Sequence, residues 1–135
     1  MIVEYFIPGK PIAWIRPGNR KGRYYDTQKD EKLVVGLQLI KQHGDNPKFQ
    51  GAVEIKLVFS FGLPKIGKEI STYSIPMYTK PDLDNLVKFY LDAITDTDKI
   101  WSDDRQAYCI SSQKLCVSGM RIGTYIIITD EISIQ

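Results

Sequence analysis

The chain carries one histidine, two cysteines and no glycine-rich phosphate loop. Its single histidine, His43, is expected near a helix C-terminus, a place that suits a surface cation better than a catalytic base. Cys109 and Cys116 stand seven apart in an apparent strand and would face its opposite sides. Two such residues make no zinc site, and they read as reduced thiols of a cytosolic protein. Neither GxxxxGK[ST] nor GxGxxG occurs, so nucleotide binding by those routes is unsupported. The longest apolar runs, such as Val53–Phe61 and Tyr125–Ile128, are too short or too interrupted to span a bilayer. The opening MIVEYFIPGK has neither the basic region nor the cleavage site of a signal peptide. Repeats, low-complexity tracts and linkers are also missing, which leaves a single domain over residues 1–135.

What is present is an uneven charge distribution. The net charge of +2 means little alone, but seven of the 16 acids fall between Asp82 and Asp104, against only Lys88 and Lys99. That window carries −5, so the remainder carries +7. Two like charges ~6 Å apart cost ~0.7 kcal/mol in water and ~3 kcal/mol at an effective dielectric near 20. A partly buried cluster therefore calls for a compensating cation. From Lys10 to Tyr25 the balance is the opposite: Lys10, Arg16, Arg20, Lys21 and Arg23, with no acid. They are interleaved with Trp14, Tyr24 and Tyr25, for each of which, taken singly, core packing is the simpler role.

Periodicity gives an α+β domain in β-α-β-α-β-β order, with helices packed on a mixed or mostly antiparallel sheet. Ile2–Ile7 reads as a strand, followed by a long Pro/Gly/Arg loop with hairpin character. Thr27 to Asp30 resembles a capping box opening a helix that turns Leu33, Leu37 and Ile40 to one face and ends near His43-Gly44. Val53, Ile55, Leu57, Phe59 and Phe61 alternate with more polar residues as a half-buried strand. Leu63–Lys80 is a polar loop. A helix over about Leu83–Thr95 carries the stripe Leu83, Leu86, Val87, Tyr90, Leu91 and Ile94. Ala107–Val117 and Gly123–Thr129 are the last strands.

The acids sit at informative places on this framework. Asp82 is a natural N-cap and Asp84 lies in the first turn, both at the positive end of the helix dipole. Asp84, Lys88 and Asp92 are four apart and read most simply as an ion-pair ladder. Trp101 is expected as a core anchor fixing Asp103 and Asp104, which would add carboxylates from a second segment. Three such groups with a lysine one turn away suit Mg²⁺. Other metal readings fail: Asp96-x-Asp98 begins like an EF-hand loop but has Ile100 and Trp101 where a ligand and glycine belong. Glu54-Ile55-Lys56 has an E-x-K form, yet Pro81-Asp82 follows it rather than preceding it.

Pro81-Asp82-Leu83-Asp84-Asn85-Leu86, Lys88, Leu91-Asp92-Ala93 and Trp101-x-Asp103-Asp104-x-Gln106 resemble the RusA family of Holliday-junction resolvases. Gly9-Lys10-Pro11, Trp14, Arg16-Pro17, Gly22-Arg23-Tyr24-Tyr25 and Lys114 are similar too. The resemblance implies a crossover junction endodeoxyribonuclease, a homodimer that cuts four-way DNA symmetrically with Mg²⁺, Mn²⁺ being a substitute, in recombination and repair. It implies a cytoplasmic enzyme encoded by a bacterium or a phage, with no membrane partner. Asp82, Asp84 and Asp104 match the metal-binding catalytic aspartates and Lys88 the catalytic lysine. Asp103 is a candidate to support those ligands, and Lys10, Arg16, Arg20, Lys21 and Arg23 are candidates for DNA contact. Two other readings stand beside this one: a nuclease of the same fold acting on other branched DNA, and a DNA-binding module without catalysis.

Overall fold

The computed structural model of the chain describes residues 1–63 and 74–132. Its strands are β1 (Ile2–Pro8), β2 (Gly18–Arg20), β3 (Arg23–Tyr25), β4 (Val53–Gly62), β5 (Ile75–Pro76), β6 (Ala107–Val117) and β7 (Gly123–Thr129). The helices are α1 (Lys29–His43) and α2 (Leu83–Thr97). Five strands form one sheet in the order β1-β7-β4-β6-β5, in which only β4 and β6 run parallel. That pair is joined through α2, as a parallel connection requires. The expected α+β order is therefore observed, with β2–β3 as a separate hairpin and β5 as a two-residue edge. Although β6 and β7 follow one another in the chain, β4 lies between them. Of the polar loop expected over Leu63–Lys80, residues 64–73 lie outside the described residues. No helix among the described residues is long and apolar enough to cross a membrane.

The alternation in β4 decides the core. Val53, Ile55, Leu57, Phe59 and Phe61 are all buried, beside Tyr5 of β1 and Ile126 and Ile128 of β7. α2 covers this face with Leu86, Phe89, Tyr90, Ala93 and Ile94, and Trp101 is fully buried below it. α2 runs to Thr97, two residues past its expected end, and stops at Asp98, whose left-handed φ of 52° breaks the helix. Lys48 pairs with Asp98 at 2.7 Å and ties that end to the segment before β4.

α1 departs from expectation in three ways. Leu33 and Leu37 face solvent, and the buried residues are Lys32, Val35, Gly36, Leu39 and His43. The sequence LVVGLQLI is apolar nearly all round, so periodicity alone chooses no face. Close approach of α2 chooses it: a Cβ on Gly36 would lie 3.3 Å from Thr97 Cγ2. The helix also begins at Lys29 with no side-chain cap, because Asp26, not Thr27, takes the backbone N–H of Gln28 at 2.9 Å. The Gln28 side chain is turned away to the basic arm. Finally, His43 is no surface cation. It is buried, with Nε2 3.1 Å from the Pro47 carbonyl and Nδ1 2.7 Å from the Tyr5 hydroxyl. A carbonyl only accepts, so Nε2 carries a hydrogen, and in the neutral ring Nδ1 accepts from Tyr5. Burial pushes the Tyr5 hydroxyl pKa up, which keeps that proton in place.

Tyr5→Phe leaves His43 Nδ1 buried without a partner and should lower unfolding free energy by about 1–3 kcal/mol. A urea denaturation midpoint unchanged from wild type would mean that this pair contributes no stability.

Candidate active site

The entrance to α2 is fixed from two sides. From β6, Lys114 Nζ donates to the carbonyl oxygens of Thr79 at 2.6 Å and Pro81 at 2.7 Å. From the basic arm, the Trp14 backbone N–H donates to the Asn85 carbonyl at 2.9 Å. Between these ties Asp82 occupies the N-cap in an extended conformation, φ −68° and ψ 140°, yet its side chain makes no capping hydrogen bond. Asp84 follows in the first turn and accepts the neighbouring Asn85 N–H at 3.0 Å. Both side chains are exposed.

Lys88 does not form the expected ladder with Asp84 and Asp92. No ion pair links it to either among the described residues, and its ammonium sits 4.4 Å from the centroid of the Trp14 ring. The indole face attracts a cation without consuming its N–H donors. Asp92 is instead 3.8 Å from Lys32, a lysine that is itself buried and paired with Asp26 at 2.9 Å. No sequence signal marked Lys32, since it stands on a helix with apolar residues on every side.

The second carboxylate-bearing segment is equally well anchored. Trp101 Nε1 donates to Thr95 Oγ1 at 2.8 Å. After it comes one 3-10 turn, Asp104–Gln106, which contacts α2. Gln106 Oε1 accepts from the backbone N–H groups of Ser102 and Asp103, while Nε2 donates to the carbonyls of Phe49 and Gly51, both at 3.0 Å. Asp103 caps the turn, accepting the Arg105 N–H at 2.8 Å. That backbone bond, with the Arg105 guanidinium 3.2 Å away, holds the Asp103 carboxyl below the ordinary range. Asp103 is thus occupied in building the turn, whereas Asp104 is exposed and has no ion pair among the described residues.

The charge of the turn is felt on α2 at Asp92. Burial raises the Asp92 pKa, Lys32 and Lys88 oppose that, and the charges of Asp96 and Asp104 add to it. Asp104, Asp92 and Lys88 therefore share one electrostatic neighbourhood along α2. Among the described residues, no three His, Cys, Asp or Glu side chains are gathered as a ready ligand set. The chemistry of the donors nonetheless fits a hard cation. Asp82, Asp84 and Asp104 offer only carboxylate oxygens, and all three are exposed and outside any ion pair among the described residues.

The basic arm is built onto the same helices. Ile12 N–H donates to the Tyr90 hydroxyl at 3.0 Å, and the buried Gln28 side chain holds Ile15 N–H and the Ala13 carbonyl. Beyond it, β2 and β3 close over Lys21-Gly22, both with positive φ (53° and 77°), as a tight two-residue hairpin needs. Lys10, Arg16, Arg20, Lys21 and Arg23 are all exposed, with no ion pair among the described residues. Core packing is not the role of the hairpin tyrosines: Tyr24 is 76% and Tyr25 51% exposed. A three-residue hairpin strand has no second face to bury. Trp14 alone packs, half-buried, against the core.

A family model described as Endodeoxyribonuclease RusA matches residues 8–129, which takes in the basic arm, both acidic segments and every strand but β1, of which only Pro8 is included. No curated protein matches the chain.

The Asp103 cap has a pH signature. Its folded pKa lies below the unfolded value of about 3.9, so its stabilisation is present above that pH and fades as acid carries the solution through the folded pKa. Asp103→Asn keeps an acceptor for the Arg105 N–H and should flatten the fall in melting temperature below about pH 4. An acid limb as steep as wild type would assign that fall to other carboxylates.

Proposed function

The chain belongs to the RusA family of endodeoxyribonucleases, and from that premise we propose that it resolves four-way DNA junctions by paired, Mg²⁺-dependent phosphodiester cleavage in recombination and repair. Asp82, Asp84 and Asp104 would hold the ion. When bound, Mg²⁺ lowers the pKa of a water and neutralises charge on the attacked phosphate. Three carboxylates facing a DNA strand would otherwise repel it, so the same residues explain why catalysis needs the cation.

The remaining work falls to this chain's own side chains. Lys88 directs its ammonium donors to the scissile phosphate and stabilises charge that grows there during in-line attack. Trp14 keeps that lysine out of an ion pair with its helical neighbours. Lys10, Arg16, Arg20, Lys21 and Arg23 bind backbone phosphates, and the exposed rings of Tyr24 and Tyr25 stack on bases unpaired at the branch. Products carry 5′-phosphate and 3′-hydroxyl ends. A homodimer offers two identical sites to the two equivalent strands of a junction, which a single site could only nick. The observation that supports this reading most is the Trp14 bridge, which joins the basic arm to the α2 entrance through Asn85 and Lys88.

Asp84→Asn should keep junction affinity within about threefold at matched salt and lose about 10²-fold or more in Mg²⁺-dependent cleavage. A wild-type protein that binds junctions and never cuts them would be the DNA-binding module instead. Cleavage of flaps or forks faster than four-way junctions would move the substrate to other branched DNA. Linear duplex cut as fast as the junction would contradict the resolvase assignment.

A further inference from the structure

A pocket of about 380 Å³ adjoins the α2 entrance. Four segments build it: Lys10 beyond β1, the end of β4, the stretch between β5 and α2, and Ile122 just before β7. Phe61, Met77, Pro81 and Ile122 give it apolar walls, and Lys10 and Lys80 are its charged lining residues. Among the described residues both lysines are exposed and outside any ion pair, and no acid lines the pocket.

The walls are braced by backbone ties. The Gly9 N–H donates to the Ile122 carbonyl at 3.3 Å, and the Leu63 N–H to the Val117 carbonyl at 3.1 Å. The Met77 N–H donates to the Lys114 carbonyl at 3.0 Å, and Lys114 Nζ donates to the Pro81 carbonyl at 2.7 Å. Gly62 leaves its part of the wall bare, since a Cβ there would come 3.3 Å from Ile122 Cδ1. A pocket tied in this way is pre-formed, as small-ligand sites usually are.

Its chemistry selects the occupant. Lys10 and Lys80 call for a ligand that brings negative charge. The walls refuse the charge itself, because an anion pressed against Phe61, Met77 and Ile122 would lose its water without gaining partners. A ligand with flat apolar faces joined to anionic groups satisfies both demands, and a nucleotide within a DNA strand is such a ligand. Position points the same way: Pro81 lines the pocket, and the next residue in the chain is Asp82. Tyr78, next to Met77, is 95% exposed, a ring without a core role beside a slot of this size.

We propose that this pocket captures one nucleobase swung out of the stack beside the cleaved phosphate, with Lys10 and Lys80 holding the phosphates on either side of it. The claim deepens the nuclease reading of the chain and rests on it for the DNA. It also makes the pocket a selectivity device. Swinging a base out of a duplex breaks pairing and stacking, whereas a base at a branch has less to lose. DNA that yields a base easily fills the pocket, and linear duplex leaves it empty.

The test measures binding of the full chain by fluorescence anisotropy on four-way junctions carrying one abasic nucleotide. Ca²⁺ replaces Mg²⁺, because its loose coordination holds an attacking water poorly. The abasic position is moved through the nucleotides nearest the branch. With wild type, one position should weaken binding about tenfold, the loss expected of one stacked base. Met77→Ala and Ile122→Ala should each bind the intact junction about tenfold more weakly and lose no more than about twofold at that same position. Each should also narrow the preference for junction over linear duplex about tenfold. Two wall positions are used, so that one variant failing to fold leaves the other to decide. Lys10→Gln combined with Lys80→Gln should lower the salt slope on the junction by about two.

A scan in which no position stands out, or wall variants that lose affinity equally at every position, overturns the pocket. An unchanged salt slope overturns the part given to the lysines. Cleavage in Mg²⁺ is scored separately. Junctions cut symmetrically beside a flat scan sink the pocket and leave the resolvase reading standing. A position-specific scan from a chain that never cuts sinks the resolvase reading and leaves the pocket standing.

Discussion

Carboxylates held outside any ion pair among the described residues set the character of the acidic half of this molecule. Asp82, Asp84 and Asp104 are drawn from two segments, none has an ion pair among the described residues, and Lys88 is turned onto an indole ring. Flexible segments would relax by moving their acids apart. These are restrained: Lys114 grips the carbonyls before α2, while Trp101 and Gln106 anchor the turn that carries Asp104. The backbone that carries these acids is thus fixed, although among the described residues the three carboxylates are not gathered into a ready ligand set.

The basic half is arranged on the same supports. Tyr90, Gln28 and the Asn85 carbonyl hold the arm's backbone, and its cationic side chains are exposed and outside any ion pair among the described residues. Lys32 takes the opposite course. Buried between Asp26 and Asp92, it neutralises the one carboxylate of the stripe that burial would otherwise penalise most. Lys32 of α1 thus serves the helix pair, while Lys88 of α2 stays outside any ion pair among the described residues.

How much could be read in advance depended on how many choices each segment left open. β4 alternates strictly, and α2 confines its apolar residues to one stripe, so both announced their faces and their elements. The acid-rich window from Asp82 to Asp104 was legible as composition, because acids at a helix entrance and after a buried tryptophan are unusual in a chain of net positive charge. α1 was not legible: apolar on every side, it took its orientation from Gly36 against Thr97, a tertiary fact. His43 and Lys32 look like surface residues until their partners, Tyr5, Pro47, Asp26 and Asp92, arrive from other elements. Asp103 and Asp104 are adjacent and alike in sequence. Only the turn geometry separates the cap from the exposed acid.

The central claim is that oxygens from the α2 entrance and from the turn after Trp101 meet on one divalent ion. The most direct test is an anomalous-scattering map of crystals grown with Mn²⁺. The expected result is a peak within about 2.2 Å of a carboxylate oxygen of Asp104 and of at least one of Asp82 and Asp84. A map with no peak there, or with an ion touching acids from only one of the two segments, would contradict it.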